Sequence, residues 1–430
     1  MYLVPNANQP VGRIAAVGWL VAPKTRTLIT ALQAGGAEVR FVGGCVRDSI
    51  AHREVADIDV ATPELPQTVI ERLAAAKIKA VPTGIKHGTI TAVVGGQPFE
   101  VTTLRRDVST DGRHAEVAFT EDWLEDAKRR DFTINAMSAN ADGDIFDPFS
   151  GIADLAAGRV RFVGRAEDRV DEDYLRILRF FRFFAFNGRP PADIDALAAC
   201  RSRAAKLSEL SGERVRSELL KILGAREPAD IIVRMAAENV LGEILPEAGN
   251  VNRLRMLNWL ETSAIKIDGI LPDPIRHLAA LIEPNADAAA VAERLRLSNA
   301  EGERLGRMVA PLAKLDPDSG IAGEERTIRA LGNDRATDLA LLAWAGELAD
   351  QGHLPRPRTD SWIAILQRCR SWTPPVFPLS GGDVLALGVP RGEAVGNLLA
   401  SVEDWWENGS YKASRQDCLD RLIQTLDREL

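Results

Sequence analysis

The sequence predicts an α+β domain over residues 1–155, followed by helices to the end of the chain. Three observations support this fold class. Short apolar segments with strand character, separated by Gly-rich turns, occur only in the first part of the chain. From Leu155 onward, Leu, Ile and Ala recur with a helical period among scattered charges. At 430 residues the chain is also too long for one core, so we expect two to four domains.

The elements of the first domain follow from local patterns. We predict helices over 24–36 and 65–76, and strands over 39–42, 57–60, 87–94 and 98–104. The last two strands flank the turn Gly95-Gly96, which indicates a small, mostly antiparallel sheet. Residues 105–120 are polar, contain glycine and show no clear period, so we predict a loop there.

Two carboxylates lie on the predicted strand 57–60. Asp57 and Asp59 are two residues apart and therefore share a face, while Ile58 and Val60 point to the core. Adjacent carboxylates repel each other unless a cation lies between them, and oxygen ligands of this kind suit Mg²⁺. A lone D-x-D is more often a solvated strand end, so the pair alone is a weak signal.

A glycine pair precedes the carboxylates. Gly43-Gly44 follows the strand 39–42 and allows the backbone to approach a bulky ligand. Backbone amides after it would point at phosphate oxygens, and Arg47 would supply a guanidinium fork for them. The order strand, Gly-Gly, Arg, strand, D-x-D is much more specific than any of its parts.

This order, FVGGCVRD followed by DIDV, resembles the signature of the polymerase β-like nucleotidyltransferases. More narrowly, it is similar to the class II tRNA nucleotidyltransferases (CCA-adding enzymes) and the related bacterial poly(A) polymerases. The resemblance implies an α+β nucleotidyltransferase head followed by an all-α neck, body and tail. His52 and Ala56 depart from the family pattern, and both lie in the loop between the two strands.

The resemblance also assigns residues further along the head. Glu100 would be a third carboxylate of the metal site, although a solvated Glu at a strand edge is an equally good interpretation. RRDFT-x-NA resembles a family motif in which the second arginine, here Arg130, contacts the nucleotide, with Asp131 and Asn135 organising the local structure. Residues 105–120 correspond to a flexible loop needed for adding the final adenosine, and 147–155 correspond to the hinge between head and neck.

A second strong motif is predicted on a helix over 172–183. Its polar members recur every three residues, so that neighbours share a face; they are Asp173, Arg176, Arg179 and Arg182. Cytosine and adenine both present an amino donor beside a ring-nitrogen acceptor, which a carboxylate and a guanidinium can satisfy together. Uracil and guanine present the reverse pattern and would leave buried polar groups unpaired. The alternative is an amphipathic helix whose arginines make surface ion pairs.

The motif E-D-x-x-R-x-x-R is also what the family resemblance predicts for this helix. Asp173 and Arg176 would read the base, while Arg179 and Arg182 would hold phosphates or support the reading pair. We assign Glu213 and Arg214, in the predicted helix that follows Ser211, to supporting the base-reading helix.

Composition excludes several classes of protein. The net charge of −8 argues against indiscriminate nucleic-acid coating, although residues 156–221 carry 14 Lys or Arg against 10 Asp or Glu. No apolar run is long enough to span a bilayer, and the N-terminus lacks the pattern of an export signal. The four cysteines are widely spaced and form no C-x-x-C pair, so the sequence implies neither a zinc site nor a disulfide framework. This cysteine usage is consistent with a reducing cytoplasm.

These inferences give a specific expectation. We predict a nucleotidyltransferase head over 1–155, a base-recognition neck over 156–230, a body over 231–350 and a tRNA-binding tail over 351–430. The predicted activity is template-independent addition of C, C and A to tRNA from CTP and ATP with Mg²⁺. Alternatives are a poly(A) polymerase, a partial enzyme adding only CC or only A, or a non-catalytic protein that binds structured RNA. The expected partner is tRNA, held by its acceptor end and T arm. We expect no membrane association, and either a monomer or a homodimer.

Overall fold

The structure is a computed structural model that describes residues 6–15, 17–111, 114–284 and 286–429. In 107–111, 114–117 and 427–429 only the backbone is described. The chain separates into two compact units, Met1–Pro246 and Glu247–Leu430. The site discussed below lies entirely in the first unit.

The first unit is built on a mixed sheet. The strands of the described residues are β1 (Gly12–Arg13), β2 (Arg40–Val42), β3 (Asp59–Thr62), β4 (Lys79–Gly84), β5 (Thr89–Val94), β6 (Gln97–Thr103), β7 (Arg105–Asp111), β8 (His114–Phe119), β9 (Ser138–Ala139) and β10 (Asp144–Phe146). Their order in the main sheet is β1-β10-β9-β2-β3-β6-β5-β4, and β7 pairs with β8 separately. Only β3 and β6 run parallel among these described pairs. The predicted small, mostly antiparallel sheet is confirmed.

Helices cover one face of this sheet. The first four are α1 (Gly18–Val21), α2 (Pro23–Leu32), α3 (Gly44–Ile50) and α4 (Pro66–Ala75). Leu28 of α2 and Leu73 of α4 are buried against the same core as Phe41 and Val60, which lie opposite each other across β2 and β3. Because side chains alternate along a strand, Val60 enters this core while Asp59 points to the other face.

Two predictions about this region are wrong in detail. The strand predicted over 57–60 begins only at Asp59, so Asp57 lies just before it. The loop predicted over 105–120 contains the hairpin of β7 and β8, and residues 112–113 lie outside the described residues. A half-buried strand is recognised by alternating apolar residues, and a polar two-stranded hairpin can form without them. The sequence pattern therefore did not predict these two strands.

The rest of the first unit is helical apart from short bridges and the last two strands. Its helices are α5 (Trp123–Lys128), α6 (Gly151–Ala157), α7 (Ala166–Glu172), α8 (Leu175–Asn187), α9 (Ile194–Arg203), α10 (Gly212–Leu223), α11 (Pro228–Ala237) and α12 (Leu241–Ile244). Trp123, at the start of α5, packs against Val42, Ala61 and Leu104 on the sheet face opposite α2 and α4. This packing brings α5 to the face that Asp59 occupies.

The helix predicted over 172–183 is wrong at its N-terminal end. The chain forms α7 and then α8, and Asp173 lies between them with extended backbone angles of φ −158° and ψ 109°. The Asp173 carboxylate accepts a hydrogen bond from the Leu175 amide at 3.1 Å. It therefore caps α8 and is not a member of the helical row.

The second unit is helical, as predicted. Its helices are α13 (Val251–Trp259), α14 (Pro274–Leu281), α15 (Ala288–Arg294), α16 (Asn299–Val309), α17 (Gly320–Leu331), α18 (Asn333–Gln351), α19 (Arg356–Ser371), α20 (Gly381–Ala386), α21 (Glu393–Asn408) and α22 (Arg415–Glu429). Glu261 is buried between Arg276 and His277, with 2.6 Å from its carboxylate to the His277 ring nitrogen. Leu398, Val402 and Trp406 centre a separate core with α20 and α22. Across the described residues, no helix is long and apolar enough to cross a membrane.

Candidate active site

A cavity of about 560 Å³ opens in the first unit. Its wall contains most of the residues that the sequence singled out: Gly43, Gly44, Arg47, Asp59, Arg130, Asp173, Arg176, Arg179 and Arg182. Residues that lie far apart in the chain therefore meet at one place. Of the described residues predicted for the site, Asp57 and Glu100 lie outside this wall.

Asp59 is the member of the predicted metal site that lines the cavity. Asp59 on β3 is in register with Glu100 on the parallel strand β6, as expected for a carboxylate on a neighbouring strand. Burial, then repulsion from Glu100, raises the pKa of Asp59 to about 6, while Arg130 lowers it and Asp57 adds a smaller upward effect. The described residues include no ready-made cluster of three metal-ligating side chains. The metal role of Asp57, Asp59 and Glu100 thus stays a prediction.

Gly43 has a conformation that favours glycine. Its φ is +71°, in the region that costs a residue with a Cβ about 1–2 kcal/mol. A Cβ at Gly43 would lie 3.6 Å from Nη1 of Arg130 and 3.9 Å from Oδ2 of Asp59. The absence of a side chain therefore keeps the floor of the cavity open between a guanidinium and a carboxylate.

Arg47 is held by its own domain. Its Nε and Nη2 donate to the two carboxylate oxygens of Asp48 at 2.9 and 2.8 Å. Its Nη1 donates to the amide oxygen of Asn135 at 2.7 Å. The predicted phosphate fork is thus fixed in place, with its edge on the cavity.

Arg129 and Arg130 share one buried carboxylate. Asp126 on α5 is 3 % exposed; one of its oxygens accepts from Arg129 at 2.7 Å, and the other accepts from Arg130 at 3.0 Å. Burial would raise the pKa of Asp126, but the guanidiniums of Arg130 and Arg129 together hold it below its usual value. Sequence reasoning missed Asp126. Its spacing of three and four residues from the two arginines was a usable signal.

The residues predicted to read the base have partners within the first unit. Asp173 accepts from Nη2 of Arg214 at 2.7 Å, so Arg214 supports the motif as predicted and also lines the cavity. Arg176 pairs with Glu172 and donates to the Arg169 carbonyl at 2.9 Å.

The two later arginines of α8 are also anchored. Arg179 donates through Nε to Asp131 at 2.7 Å, and Arg182 donates to Glu218 of α10 at 2.5 Å. The rotation of α8 against the head and α10 is therefore set by ion pairs on the side that faces the cavity.

Arginines outnumber carboxylates in the cavity wall, although five of them pair with carboxylates outside the wall, namely Asp48, Asp126, Glu172 and Glu218. Seven arginines line the cavity and only three aspartates do, among the residues that the structure describes: Arg47, Arg129, Arg130, Arg176, Arg179, Arg182 and Arg214 against Asp59, Asp131 and Asp173. Guanidinium groups bind phosphate oxygens in forked pairs. The arrangement suits a polyphosphate whose reacting end lies near Asp59.

Comparisons with known proteins agree with this geometry. Residues 39–161 match the poly A polymerase head domain, and residues 193–250 match a domain described as "Probable RNA and SrmB- binding site of polymerase A". A mixed-sheet head of this type with an arginine-lined cavity defines a nucleotidyltransferase of the polymerase β-like class.

The particular family follows from whole-chain relatives. CCA tRNA nucleotidyltransferase 1, mitochondrial, of Danio rerio is 35% identical over 90% of this chain and 88% of its own length. The Homo sapiens protein of the same name is 35% identical over 90% and 87%. A crystal structure of the Bacillus stearothermophilus CCA-adding enzyme in complex with CTP is 27% identical and covers 94% of this chain and 98% of that one, with a TM-score of 0.76. The chain belongs to the CCA tRNA nucleotidyltransferase family, and the resemblance seen in the sequence is confirmed.

Proposed function

We propose that this protein adds C, C and A to the 3′ end of tRNA, using CTP and ATP and no nucleic-acid template. The RNA 3′-hydroxyl attacks the α-phosphate of the nucleotide, and pyrophosphate leaves. The observation that carries the proposal is the cavity whose wall contains seven arginines together with Asp59. Membership of the CCA tRNA nucleotidyltransferase family supports it.

The site chemistry suits Mg²⁺. Asp59 is half-buried, and both Glu100 and Asp57 disfavour its charged form, a repulsion that a bound cation would relieve. We propose Asp57 and Asp59 as ligands, with Glu100 as a third carboxylate near them. Mg²⁺ bound there would lower the pKa of the 3′-hydroxyl and neutralise charge on the leaving oxygens.

The triphosphate would be held by the arginines. The open floor at Gly43 and Gly44 would admit the phosphate chain, with Arg130 beside Gly43 and Arg47 beside Gly44. Because both guanidiniums are already fixed by carboxylates, little side-chain entropy is lost when the nucleotide binds. Positioning and charge neutralisation would then supply most of the rate.

Base selection is proposed for Asp173 and Arg176. A carboxylate accepting from the base amino group and a guanidinium donating to the ring nitrogen accept C and A and reject U and G. Both groups line the cavity, with Asp173 bonded to Arg214 and Arg176 bonded to Glu172. To contact a base, Asp173 and Arg176 must each share or give up one of these hydrogen bonds. Arg179 and Arg182 would support this pair or hold phosphate.

We further propose that the helices after the head hold the tRNA acceptor end and T arm by shape, as RNA duplexes usually are held. The division into head 1–155, neck 156–230, body 231–350 and tail 351–430 remains part of this proposal. A cytoplasmic location is also proposed, since all four cysteines are buried free thiols, as a reducing compartment maintains them. The vertebrate relatives carry "mitochondrial" in their names, so cell fractionation should probe both compartments.

The proposal is tested by product length. The purified protein is incubated with Mg²⁺, CTP, ATP and three tRNA transcripts that end before CCA, after C and after CC. Addition of three, two and one nucleotides supports a complete CCA-adding enzyme. A long ladder from ATP alone would move the protein to the poly(A) polymerases, and stalling after CC would indicate a partial enzyme. No pyrophosphate release from any substrate would favour a non-catalytic RNA-binding protein.

The metal ligands are tested by substitution. Asp57→Ala and Asp59→Ala should each abolish addition while leaving tRNA binding, measured by filter retention, nearly intact. Activity retained in either variant would contradict the assigned role of that carboxylate.

A further inference from the structure

Asn135 lies between two arginines of the cavity that belong to different elements. Its amide oxygen accepts from Nη1 of Arg47 at 2.7 Å, and its amide nitrogen donates to Asp131 at 3.0 Å. Asp131 in turn accepts from Nε of Arg179 at 2.7 Å. A continuous hydrogen-bonded chain thus runs from α3, through the segment after α5, to α8.

The chemistry of this chain is directional. A neutral amide can accept from a guanidinium through its oxygen and donate to a carboxylate through its nitrogen at the same time, across a distance that the shorter serine side chain does not span. Turning the amide over would place its NH₂ against Arg47 and its oxygen against Asp131, two repulsive contacts. Asn135 and Asp131 are 7 % and 8 % exposed, so water competes little for these bonds.

An aromatic ring reinforces the same geometry. Phe183 of α8 is buried at the cavity wall, with the guanidinium of Arg47 5.2 Å and that of Arg179 5.4 Å from its centroid. These distances are within the range of cation–π attraction. The two arginines are therefore fixed relative to each other by a polar chain and by a shared apolar surface.

We propose that Asn135 is a positioning residue: it fixes Arg47, at the phosphate end of the nucleotide, relative to Arg179 and the base-reading face of α8. This inference rests on the proposed function, because it concerns how the two ends of the same nucleotide are held. Without the amide, Arg47 keeps its Asp48 partner but loses the link that fixes its distance from α8. Nucleotide affinity and base discrimination then fall together, although neither ligand contact has been removed.

The chain offers a matched control. Asn187, on α8, accepts from Nη1 of Arg53 at 2.7 Å and donates to the Phe183 carbonyl at 3.2 Å. It is 9 % exposed and is not part of the described cavity wall. Asn187→Ser removes a bond from a guanidinium, as Asn135→Ser does, and a bond to a backbone carbonyl in place of one to a carboxylate, so it controls for the loss of a buried amide that accepts from an arginine.

The experiment compares steady-state addition of the first C by the wild type and the variants, with thermal midpoints measured in parallel. Asn135→Ser should raise the KM for CTP about tenfold, the effect of one charge-assisted hydrogen bond, with kcat within about twofold. The preference for CTP over UTP should fall by a similar factor. Asn187→Ser should leave KM and preference at the wild-type values. An unchanged KM in Asn135→Ser, or equal increases in both variants, overturns the proposal.

A conservative variant keeps the test decisive if Asn135→Ser does not fold. Asn135→Asp has the same shape and still accepts from Arg47, but it cannot donate to Asp131 when ionised. The KM for CTP should therefore stay within about threefold of the wild type, while the preference for CTP over UTP falls about tenfold. Unchanged preference would overturn the link to α8. If the wild type itself adds no nucleotide, the proposed function fails instead.

Discussion

Replacement of Asp126 by Asn is the sharpest test of how the cavity arginines are held. The carboxylate is 3 % exposed, and each of its oxygens bonds a different guanidinium, that of Arg129 at 2.7 Å and that of Arg130 at 3.0 Å. Asparagine keeps the shape but carries no charge and offers one acceptor, so its NH₂ faces a guanidinium. Two partly buried arginines are then left without the negative charge that they shared.

The size of the effect follows from these contacts. Hydrogen bonds to charged groups contribute about 1.5–3 kcal/mol each. Each guanidinium donates two bonds to Asp126, and the pair facing the new NH₂ is lost while the other pair is weakened, so we expect a loss of about 3 kcal/mol or more in unfolding free energy. For a unit of 246 residues, that corresponds to a fall of about 6–12 °C in the thermal midpoint. Arg130 also loses its fixed position, so the KM for both CTP and ATP should rise about tenfold.

Calorimetry of the full chain and steady-state kinetics measure the two effects. Glu125→Gln is the matched control, since Glu125 is the neighbouring residue on α5 and pairs with Lys128 at 2.6 Å on an exposed surface. It should change the unfolding free energy by less than about 0.5 kcal/mol and leave KM unaltered. If Asp126→Asn behaves like Glu125→Gln in both assays, the arginines are not held by Asp126 and the reasoning is refuted.

Three further predictions concern strain, pH and the second unit. Gly43→Ala should cost about 1–2 kcal/mol in unfolding free energy and raise the KM for CTP. Gly36→Ala is the control, because Gly36 has φ +80° and no atom lies within 4 Å of its built Cβ; it should lose stability without a change in KM. Denaturation measures the first effect and steady-state kinetics the second. Burial would raise the pKa of Asp131, but Arg179 and Asn135 hold it below its usual value, so its contribution to stability is complete above about pH 4 and is lost as the pH falls further. The difference in thermal midpoint between the wild type and Asp131→Asn should accordingly be constant from pH 6 to 8 and shrink in acid; a constant difference down to pH 3 would contradict this. Glu261→Gln should destabilise the second unit by about 3 kcal/mol, because the buried Glu261 side chain bonds both Arg276 and His277 and Arg276 would keep only Asp338 as a counter-charge. A calorimetric trace of the variant identical to that of the wild type would rule out that role.

Local spacing was enough to predict which side chains enter the core beside the two carboxylates. Ile58 and Val60 alternate with Asp57 and Asp59 at the start of β3, and both apolar residues are buried. Gly43 occupies a turn with positive φ, the conformation in which glycine is favoured. These features depend on neighbours within a few residues, so a single sequence carries them. The same holds for the mostly antiparallel sheet, whose apolar strands alternate with period two.

Partners of the charged residues depended on the tertiary structure. Asp173 bonds an arginine 41 residues away, Arg182 bonds a glutamate 36 residues away, and Arg179 bonds an aspartate 48 residues away. Periodicity placed the arginines on one face but could not name what they contact. It also joined Asp173 to their helix, although that residue ends one helix and caps the next.

The sequence by itself therefore determined the class of fold and most residues of the cavity wall, because motif order and side-chain type are properties of the chain. Tertiary packing decided how each arginine is oriented, that Asp126 fixes two of them, and that Asn135 connects Arg47 to α8. The physical reason is that burial makes each charged group depend on its particular partner, and the partner is chosen by the approach of distant segments.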